Sequence, residues 1–391
     1  MENNKNVPAI LGGEPVFDTP IPITKPTMPP ISGLKKRYQQ VLKSGMITNA
    51  ENVREFEKNV AEYLGVKNAV ATNSCTSGLM LLMKIMGLKG EVILPSFTFH
   101  ATAHAVVWNG LKPVFVDCEP VTYNIDPEAI KKAITPDTSA IIGVHIFGNP
   151  AKVEELQIIA EENDLRLMFD AAHGFGAKRN GKAIGGFGDA ESFSLSPTKL
   201  LTAGEGGIVA TNNDELAASI RVGRNYGDAG NYDCEFSGFN ARMSEFNALL
   251  GIESLKHLDK NVKKRNRAVR LYKKLLSNLP GIGFQKIDRN DQSSFKDFSI
   301  LVDQDKFGMS RDKLSDALLK ENIVVKKYFY PPVHKQKAFA NYQVQNDLKH
   351  TISVADNALS LPLFSHISID DVKKVCSALE RIYLNREKIG K

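Results

Sequence analysis

Short apolar, β-branched runs alternate with segments long enough for a helix from about residue 55 to residue 219. The strand candidates are continuous apolar runs, which is typical of parallel strands buried on both faces. The alternation therefore predicts βαβ crossovers and an α/β fold with a mostly parallel sheet covered by helices. The strand candidates are residues 69–72, 91–94, 113–116, 139–147, 165–170, 191–195 and 207–211, and the helical segments between them include 76–87, 102–110 and 151–163.

The pattern changes after about residue 250, where a long basic stretch is followed by shorter alternating segments. Residues 256–274 predict a long helix with a solvated basic face, and residues 370–384 predict a closing helix. Between them, residues 295–303 and 322–330 have the alternation of short strands. This half is expected to be a smaller α+β domain packed on the first.

These patterns divide the chain into a large α/β domain, residues 1–250, and a smaller C-terminal domain, residues 251–391, which starts with the long basic helix. The large domain is expected to begin with an arm at residues 1–45. The proline-rich part of this arm, residues 20–30, favours an extended chain, because repeated proline forbids a helix.

Composition and charge narrow the class of protein. Hydrophobic residues at 42% and charged residues at 24% are close to globular averages, and no apolar run reaches the ~18 residues of a membrane span. The first residues have no signal or transit pattern, and the four cysteines are far apart without a CxxC pair, which indicates reduced thiols. We expect a cytoplasmic protein without membrane association.

The net charge of +6 favours binding of an anionic small molecule, but the basic residues are too dispersed along the chain to bind nucleic acid.

Four loops are expected to meet in one crevice. Ligands of an open parallel sheet bind beyond the carboxyl ends of its strands. That rule places residues 72–78, 95–99, 170–173 and 194–207 side by side. Their side chains are therefore the candidates for a functional site.

The first two of these loops offer a phosphate cradle and an aromatic platform. Thr76 and Ser77 follow a strand and open a helix, where free N–H groups and two hydroxyls could bind a phosphate or serve only as helix caps. Phe99 follows the next strand and is either a core residue or a stacking platform for a flat cofactor.

The other two loops offer ionisable groups. Asp170 ends a strand, where a carboxylate at the edge of an apolar sheet requires a cationic partner. His173 lies three residues further on, and Lys199 is a lone lysine among small and apolar residues. A desolvated lysine amine is held neutral and can form a Schiff base. The four loops thus combine a phosphate cradle, an aromatic ring, a carboxylate and an amine. This combination predicts a site for pyridoxal phosphate.

Other cofactor sites have weaker support. The sequence contains no GxGxxG, no GxxxxGK[ST] and no GxSxG motif, which argues against nicotinamide, Walker-type nucleotide and serine hydrolase sites. His100 and His104 have the spacing of helical metal ligands, but no acidic residue completes a set, so no metal site is expected.

With these residues in place, the chain resembles the DegT/DnrJ/EryC1/StrS family of nucleotide-sugar aminotransferases, which are pyridoxal phosphate enzymes of fold type I and work as homodimers. The similarity runs nearly end to end, and it rests on the number and order of the motifs. The matching segments are SGMITNAENVREFEKNVAEYLGV (44–66), VDCEPVTYNID (116–126), VHIFGNP (144–150), DAAHGFGA (170–177), GGFGDAESFSLSPTKLLTAGEGG (185–207), GFNARMSE (238–245), YFYPPVH (328–334) and LSLPLF (359–364).

The resemblance implies roles for individual residues. Lys199 would form the Schiff base with the cofactor and act as the general base, and Asp170 would pair with the pyridine nitrogen. Phe99 would stack on the ring, while Thr76, Ser77 and Ser194 would bind the phosphate. Asn240 would reach the phosphate of the other subunit's cofactor, which would make the active sites of the dimer shared.

Two positions depart from the family pattern. Most members carry glutamine where this chain has His173, and usually an acidic residue where it has Phe169. An imidazole N–H could make the same contact as the glutamine with the cofactor's phenolic oxygen. The histidine form is most similar to members that aminate dTDP-4-dehydro-6-deoxy-D-glucose to dTDP-4-amino-4,6-dideoxy-D-glucose. L-glutamate is the expected amino donor, with pyridoxamine phosphate as the intermediate form of the cofactor.

The residues that bind the substrate diphosphate are predicted only from position and charge. The candidates are Arg224, Lys326, Lys327 and His334. Alternatives to the C4 reaction are amination at C3 or of another nucleotide sugar, and a regulatory protein without catalysis. A dehydratase is disfavoured, because those relatives have histidine in place of the lysine.

Overall fold

A computed structural model of the protein describes residues 6–390. Its strands are β1 (Asn68–Thr72), β2 (Glu91–Pro95), β3 (Lys112–Val116), β4 (Thr138–Val144), β5 (Arg166–Asp170), β6 (Lys178–Arg179), β7 (Lys182–Ala183), β8 (Ala190–Ser194), β9 (Gly207–Thr211), β10 (Ile282–Phe284), β11 (Phe298–Val302), β12 (Gln343–Val344) and β13 (Ala358–Leu361). Its helices are α1 (Lys35–Ser44), α2 (Glu51–Leu64), α3 (Cys75–Ile85), α4 (Ala101–Trp108), α5 (Pro127–Ala133), α6 (Val153–Glu162), α7 (Asp214–Gly223), α8 (Glu245–Leu255), α9 (Leu258–Leu276), α10 (Gln304–Phe307), α11 (Arg311–Lys320), α12 (Lys349–Asn357), α13 (Ile369–Leu384) and α14 (Arg386–Gly390).

An eight-stranded sheet in the order β1-β9-β8-β5-β4-β2-β3-β12 forms the centre of the larger part. β9 is antiparallel to both of its neighbours, and the remaining pairs are parallel. All seven predicted strands of this region are present, and the prediction of a mostly parallel sheet is confirmed. β4 ends three residues earlier than predicted, because residues 146–148 form a 3-10 turn in which Phe147 has a φ of 59°.

Helices cover both faces of this sheet, as predicted. On one face α3, α4 and α7 contribute the fully buried side chains of Leu79, Val106 and Ile220. On the other face α5 and α6 contribute Ile130 and Leu156. The two apolar layers hold the strands so that their carboxyl ends meet at one edge.

The C-terminal half has the expected α+β composition. Its antiparallel sheet β10-β11-β13 packs with α9 and α13 around a core that includes Tyr272 and Leu379. The strand predicted at 322–330 is wrong, since this segment makes only isolated bridges. Ile323 pairs with Ile21 and Lys326 pairs with Ser360, so the segment never runs along one partner strand.

Two predictions concern how the chain is divided. The boundary between 1–250 and 251–391 stays a prediction, and α8 runs through it. In the predicted arm, Phe17 and Ile21 are buried in the core of the C-terminal half, while residues 1–5 of the arm and Lys391 lie outside the described residues.

Among residues 6–390, no helix has both the length and the apolar character that crossing a bilayer requires. The cytoplasmic location stays a prediction.

Candidate active site

A cavity of about 350 Å³ lies at the carboxyl ends of the central strands, where the four predicted loops meet. It is formed there because β1 leads into α3, while β5 and β8 end at the residues that enter the cavity. Of the residues predicted for the site, Thr76, Phe99, Asp170, His173, Ser194 and Lys199 line this cavity.

Lys199 places a primary amine in the cavity. The side chain makes no hydrogen bond or ion pair with the described residues. Burial, and after it the positive charge of Lys296, lower the pKa of Lys199 to about 8. An amine with this pKa is partly neutral near neutral pH, and only the neutral form attacks a carbonyl or accepts a proton.

Asp170 is a buried carboxylate held by neutral donors. Thr102 donates its hydroxyl to Oδ2 at 2.7 Å, and the Ala172 N–H donates to Oδ1 at 3.0 Å. The Cys75 thiol lies 3.7 Å from the same Oδ1. Among residues 6–390 no cation forms an ion pair with Asp170, although its exposed fraction is 5%. The carboxylate therefore has no ion-pair partner among the described residues and lines a cavity that could hold one.

The tautomer of His173 follows from a single backbone contact. The Phe147 N–H donates to His173 Nδ1 at 3.2 Å, so Nδ1 has no proton and a neutral ring carries its proton on Nε2. Burial, and next the charges of Lys199 and Lys296, hold the pKa of His173 well below its usual range. The ring is thus neutral, with Nε2–H as its one N–H donor.

The two predicted hydroxyls at the start of α3, those of Thr76 and Ser77, have different roles. Ser74 caps the helix, and its Oγ accepts the Ser77 N–H at 3.0 Å. The Ser77 hydroxyl accepts the Ser74 N–H at 3.1 Å, so it belongs to the cap and does not line the cavity. The Thr76 hydroxyl makes no hydrogen bond with the described residues and lines the cavity. Gly207 permits the close packing here, because a Cβ on it would lie 2.3 Å from the Ser74 carbonyl carbon.

Phe99 separates the cavity from a second one of about 430 Å³. Phe99 is 49% exposed, so it is not a core residue, and its role as a stacking platform stays a prediction. Lys326 and Lys327 line the second cavity, and Lys327 forms an ion pair with Asp312 at 2.7 Å. These two predicted substrate residues are therefore beside the main cavity, not in it.

Three other predicted residues lie elsewhere. Arg224 is a correction: its guanidinium is buried and bonded to the Glu57 carboxylate and, at 2.6 Å, to the Ala71 carbonyl, so it stabilises the fold and cannot reach a ligand. His334 stays a prediction: its Nδ1 lies 2.6 Å from the Ser96 hydroxyl, and neither of the two cavities includes it. Asn240 is exposed outside both cavities.

Sequence reasoning missed two buried charged residues of the cavity, Lys296 and Asp297. Both are about 95% buried, and Lys296 Nζ lies 2.8 Å from Asp297 Oδ1. The signal in the sequence was an adjacent lysine and aspartate just before an apolar strand, in the segment SSFKDFSILV (293–302). Adjacent opposite charges in such a segment are costly to bury unless they pair with each other.

The cavity residues fit pyridoxal phosphate. A buried carboxylate without a cation matches a protonated pyridine nitrogen, and the Nε2–H of His173 matches a phenolic oxygen. The start of α3, with the hydroxyls of Thr76 and Ser194, offers N–H and O–H donors for a phosphate. Phe99 offers a ring to stack on, and the Lys199 amine is free to form a covalent bond.

Known proteins are similar to this chain in sequence and in backbone structure. The sequence profile of the DegT/DnrJ/EryC1/StrS aminotransferase family matches residues 32–380. The dTDP-4-amino-4,6-dideoxy-D-glucose transaminase of Shigella dysenteriae is 35% identical over 94% of this chain and 100% of its own length. The UDP-N-acetyl-3-dehydro-alpha-D-glucosamine 3-aminotransferase of Acidithiobacillus ferrooxidans is also 35% identical, over 84% of this chain and 88% of its own. The crystal structure of DesI in the presence of its TDP-sugar product superimposes with a TM-score of 0.91 and 38% identity, covering 97% of this chain and 96% of that one.

Proposed function

Because the chain belongs to the DegT/DnrJ/EryC1/StrS aminotransferase family and uses pyridoxal phosphate as its cofactor, we propose that it moves the amino group of L-glutamate to C4 of dTDP-4-dehydro-6-deoxy-D-glucose. The products are 2-oxoglutarate and dTDP-4-amino-4,6-dideoxy-D-glucose. The observation that carries the proposal is one cavity that contains both an unpaired amine, Lys199, and a buried carboxylate without a cation, Asp170. The names of the Shigella relative and of the DesI complex support a dTDP-linked sugar.

The protein's side chains divide the work of binding and orientation. When bound, pyridoxal phosphate supplies a carbonyl that condenses with amines and a ring that stabilises negative charge on the adjacent carbon. Asp170 would keep a proton on the ring nitrogen, which would strengthen that stabilisation. His173 would donate Nε2–H to the phenolic oxygen, Thr76 and Ser194 would bind the phosphate, and Phe99 would stack on the ring.

Lys199 performs the proton transfers. Burial lowers the pKa of its amine to about 8, and the neutral form of the amine takes the proton from the α-carbon of the amino donor. In the second half-reaction the same amine delivers a proton to the sugar carbon that receives nitrogen. Since the amine stands on one side of the cavity, the configuration of the new C–N bond is fixed by the position of Lys199.

The diphosphate of the sugar nucleotide is proposed to bind in the second cavity. Lys326 and Lys327 line it, and it shares Phe99, Tyr328 and Phe329 with the main cavity. A sugar in the main cavity would then project its diphosphate past these rings towards the two ammonium groups. This arrangement gives the anionic substrate cationic partners without placing more charge beside Lys199.

The enzyme is further proposed to be a homodimer with shared active sites. Ile31, Leu42, Met46 and Tyr232 are between 62% and 99% exposed, which is unusual for large apolar side chains unless a partner covers them. Asn240 would contact the cofactor phosphate of the other subunit. Light scattering of the purified protein should give twice 43.1 kDa. A fully active monomer would contradict this proposal.

The substrate is tested by identifying the product. We expect purified enzyme, incubated with L-glutamate and dTDP-4-dehydro-6-deoxy-D-glucose, to release 2-oxoglutarate and to form a sugar with nitrogen at C4 by NMR. The matched comparison is a dTDP-3-keto sugar, since the relative that aminates C3 is equally identical. Preference for the 3-keto substrate would overturn the choice of C4. Release of no 2-oxoglutarate with any keto sugar would favour the regulatory protein without catalysis.

A further inference from the structure

Lys296 and Asp297 form a buried ion pair that none of the steps above uses. Both line the main cavity with Lys199, and their Nζ and Oδ1 atoms are 2.8 Å apart. Lys296 Nζ lies 5.8 Å from the centroid of the Tyr328 ring, which lines the same cavity. The pair therefore stands where the reacting part of a substrate must bind.

The pair has unused hydrogen-bonding capacity. An ammonium has three N–H donors, and Asp297 takes one of those on Lys296. Asp297 Oδ2 is buried and has no hydrogen-bond partner among the described residues. A buried carboxylate oxygen without a donor is unfavourable, so this atom is suited to a ligand that brings one.

The ligand that fits is a neutral hydroxyl group. The pair has no net charge and offers N–H donors beside a free acceptor, while a hydroxyl both donates and accepts. A carboxylate of L-glutamate fits poorly, because it has no proton to give Asp297 Oδ2 and would be repelled by it. The neutral part of the two substrates is the sugar ring.

We infer that Lys296 and Asp297 bind a ring hydroxyl of the keto-sugar substrate, the one next to the carbonyl that receives nitrogen. Lys296 donates to the hydroxyl oxygen, and the hydroxyl donates to Asp297 Oδ2. This inference rests on the proposed function, because it assumes that a sugar enters the cavity. Lys199 must reach the carbon that receives nitrogen, and it lines the same cavity as the pair. It is also close enough to Lys296 for the charge of Lys296 to lower the pKa of Lys199. The hydroxyl that the pair binds is therefore the one beside the reacting carbon.

The surrounding contacts hold the pair rigidly. The buried guanidinium of Arg265 donates to the carbonyls of Phe295 at 3.2 Å and Lys296 at 2.8 Å. The Lys296 N–H donates to the Phe147 carbonyl at 2.9 Å, the same residue whose N–H fixes the His173 ring. The hydroxyl site and the predicted cofactor contact at His173 are thus joined through one turn of the backbone, which keeps the sugar in register with the cofactor.

Separate measurement of the two half-reactions tests the inference. In Asp297→Asn we expect kcat/KM for the keto sugar to fall at least about tenfold more than the rate of 2-oxoglutarate release from L-glutamate, because only the sugar half-reaction uses Oδ2. The double variant Lys296→Met/Asp297→Asn removes both charges and is expected to show the same imbalance. Lys131→Met, which breaks an exposed lysine ion pair, is the matched control. Equal losses in both half-reactions would overturn the inference.

A substrate analogue gives a second readout that a purely structural role would not move. The wild-type enzyme should reject a dTDP-4-keto sugar without the C3 hydroxyl by at least about 10²-fold relative to the full substrate. In Asp297→Asn this discrimination should shrink at least about tenfold, because the site no longer depends on the missing hydroxyl. Unchanged discrimination in the variant would contradict the inference. If wild-type enzyme releases 2-oxoglutarate from L-glutamate but aminates no dTDP-4-keto sugar, the proposed substrate fails instead.

Discussion

Replacing Lys199 by alanine is expected to lower kcat for amino transfer by about 10⁴-fold, the upper end of what one general acid-base group supplies. Lys199 is the one lysine of the main cavity without an ion-pair partner, among the residues that the structure describes. Among the residues that the structure describes, no other unpaired lysine amine lines the main cavity to move the proton between substrate carbon and cofactor. The measurement is steady-state release of 2-oxoglutarate with L-glutamate and the keto sugar.

Two comparisons make this result specific. Lys131→Met should keep wild-type kcat, since that lysine is exposed and outside both cavities. An added small amine should partly restore Lys199→Ala if the missing function is that of a base. If Lys199→Ala retained more than about a tenth of wild-type kcat, another group would have to be the base and the account of the cavity would be wrong.

Replacing Asp170 by asparagine should lower kcat by about 10²- to 10³-fold, or about 3–4 kcal/mol, because it removes one partner of a buried charge pair. The amide is similar in size but has no negative charge to keep a proton on the ring nitrogen. Cofactor affinity should fall as well, and dialysis followed by absorbance measures it separately from kcat.

Asp170→Glu is the matched variant, because it keeps the charge and moves it by one methylene. We expect it to retain more activity than Asp170→Asn. The reverse order would show that the shape of the side chain matters and its charge does not. In that case the hydrogen bonds that Thr102 and Ala172 donate to Asp170 would stabilise the fold and would have no role in catalysis.

The sequence predicted the sheet and the residues at its strand ends for a physical reason. Buried parallel strands require continuous apolar runs, and the carboxyl ends of such strands meet at one edge. Asp170 and Lys199 could therefore be placed together although 29 positions separate them along the printed sequence. The side chains that a strand end or a helix start carries into the crevice were predictable in the same way.

Residues that reach the cavity from the C-terminal half could not be predicted so easily. Lys296 and Asp297 precede β11 in another sheet, and no rule about strand order says which loop of one half packs against the other. Charge and position in the sequence also led to a wrong prediction of a ligand-binding residue. Arg224 was predicted as a phosphate ligand, yet its guanidinium satisfies the buried Glu57, a long-range pairing that the sequence does not reveal.

The distinction between the two buried lysines was equally hidden in the sequence. Lys296 has a carboxylate at 2.8 Å, whereas Lys199 has no ion-pair partner among the described residues, and burial lowers its pKa to about 8. Only the packing of the two halves decides which amine is free. That difference is the basis for assigning the covalent role to Lys199.

Reduction of the holoenzyme with borohydride, followed by peptide mass spectrometry, tests this assignment most directly. Borohydride fixes the link between a lysine amine and pyridoxal phosphate as a stable secondary amine. We expect the added mass on the peptide with Lys199 and an unmodified peptide with Lys296. Label on Lys296, or no label on any lysine of a protein that binds the cofactor, would contradict it.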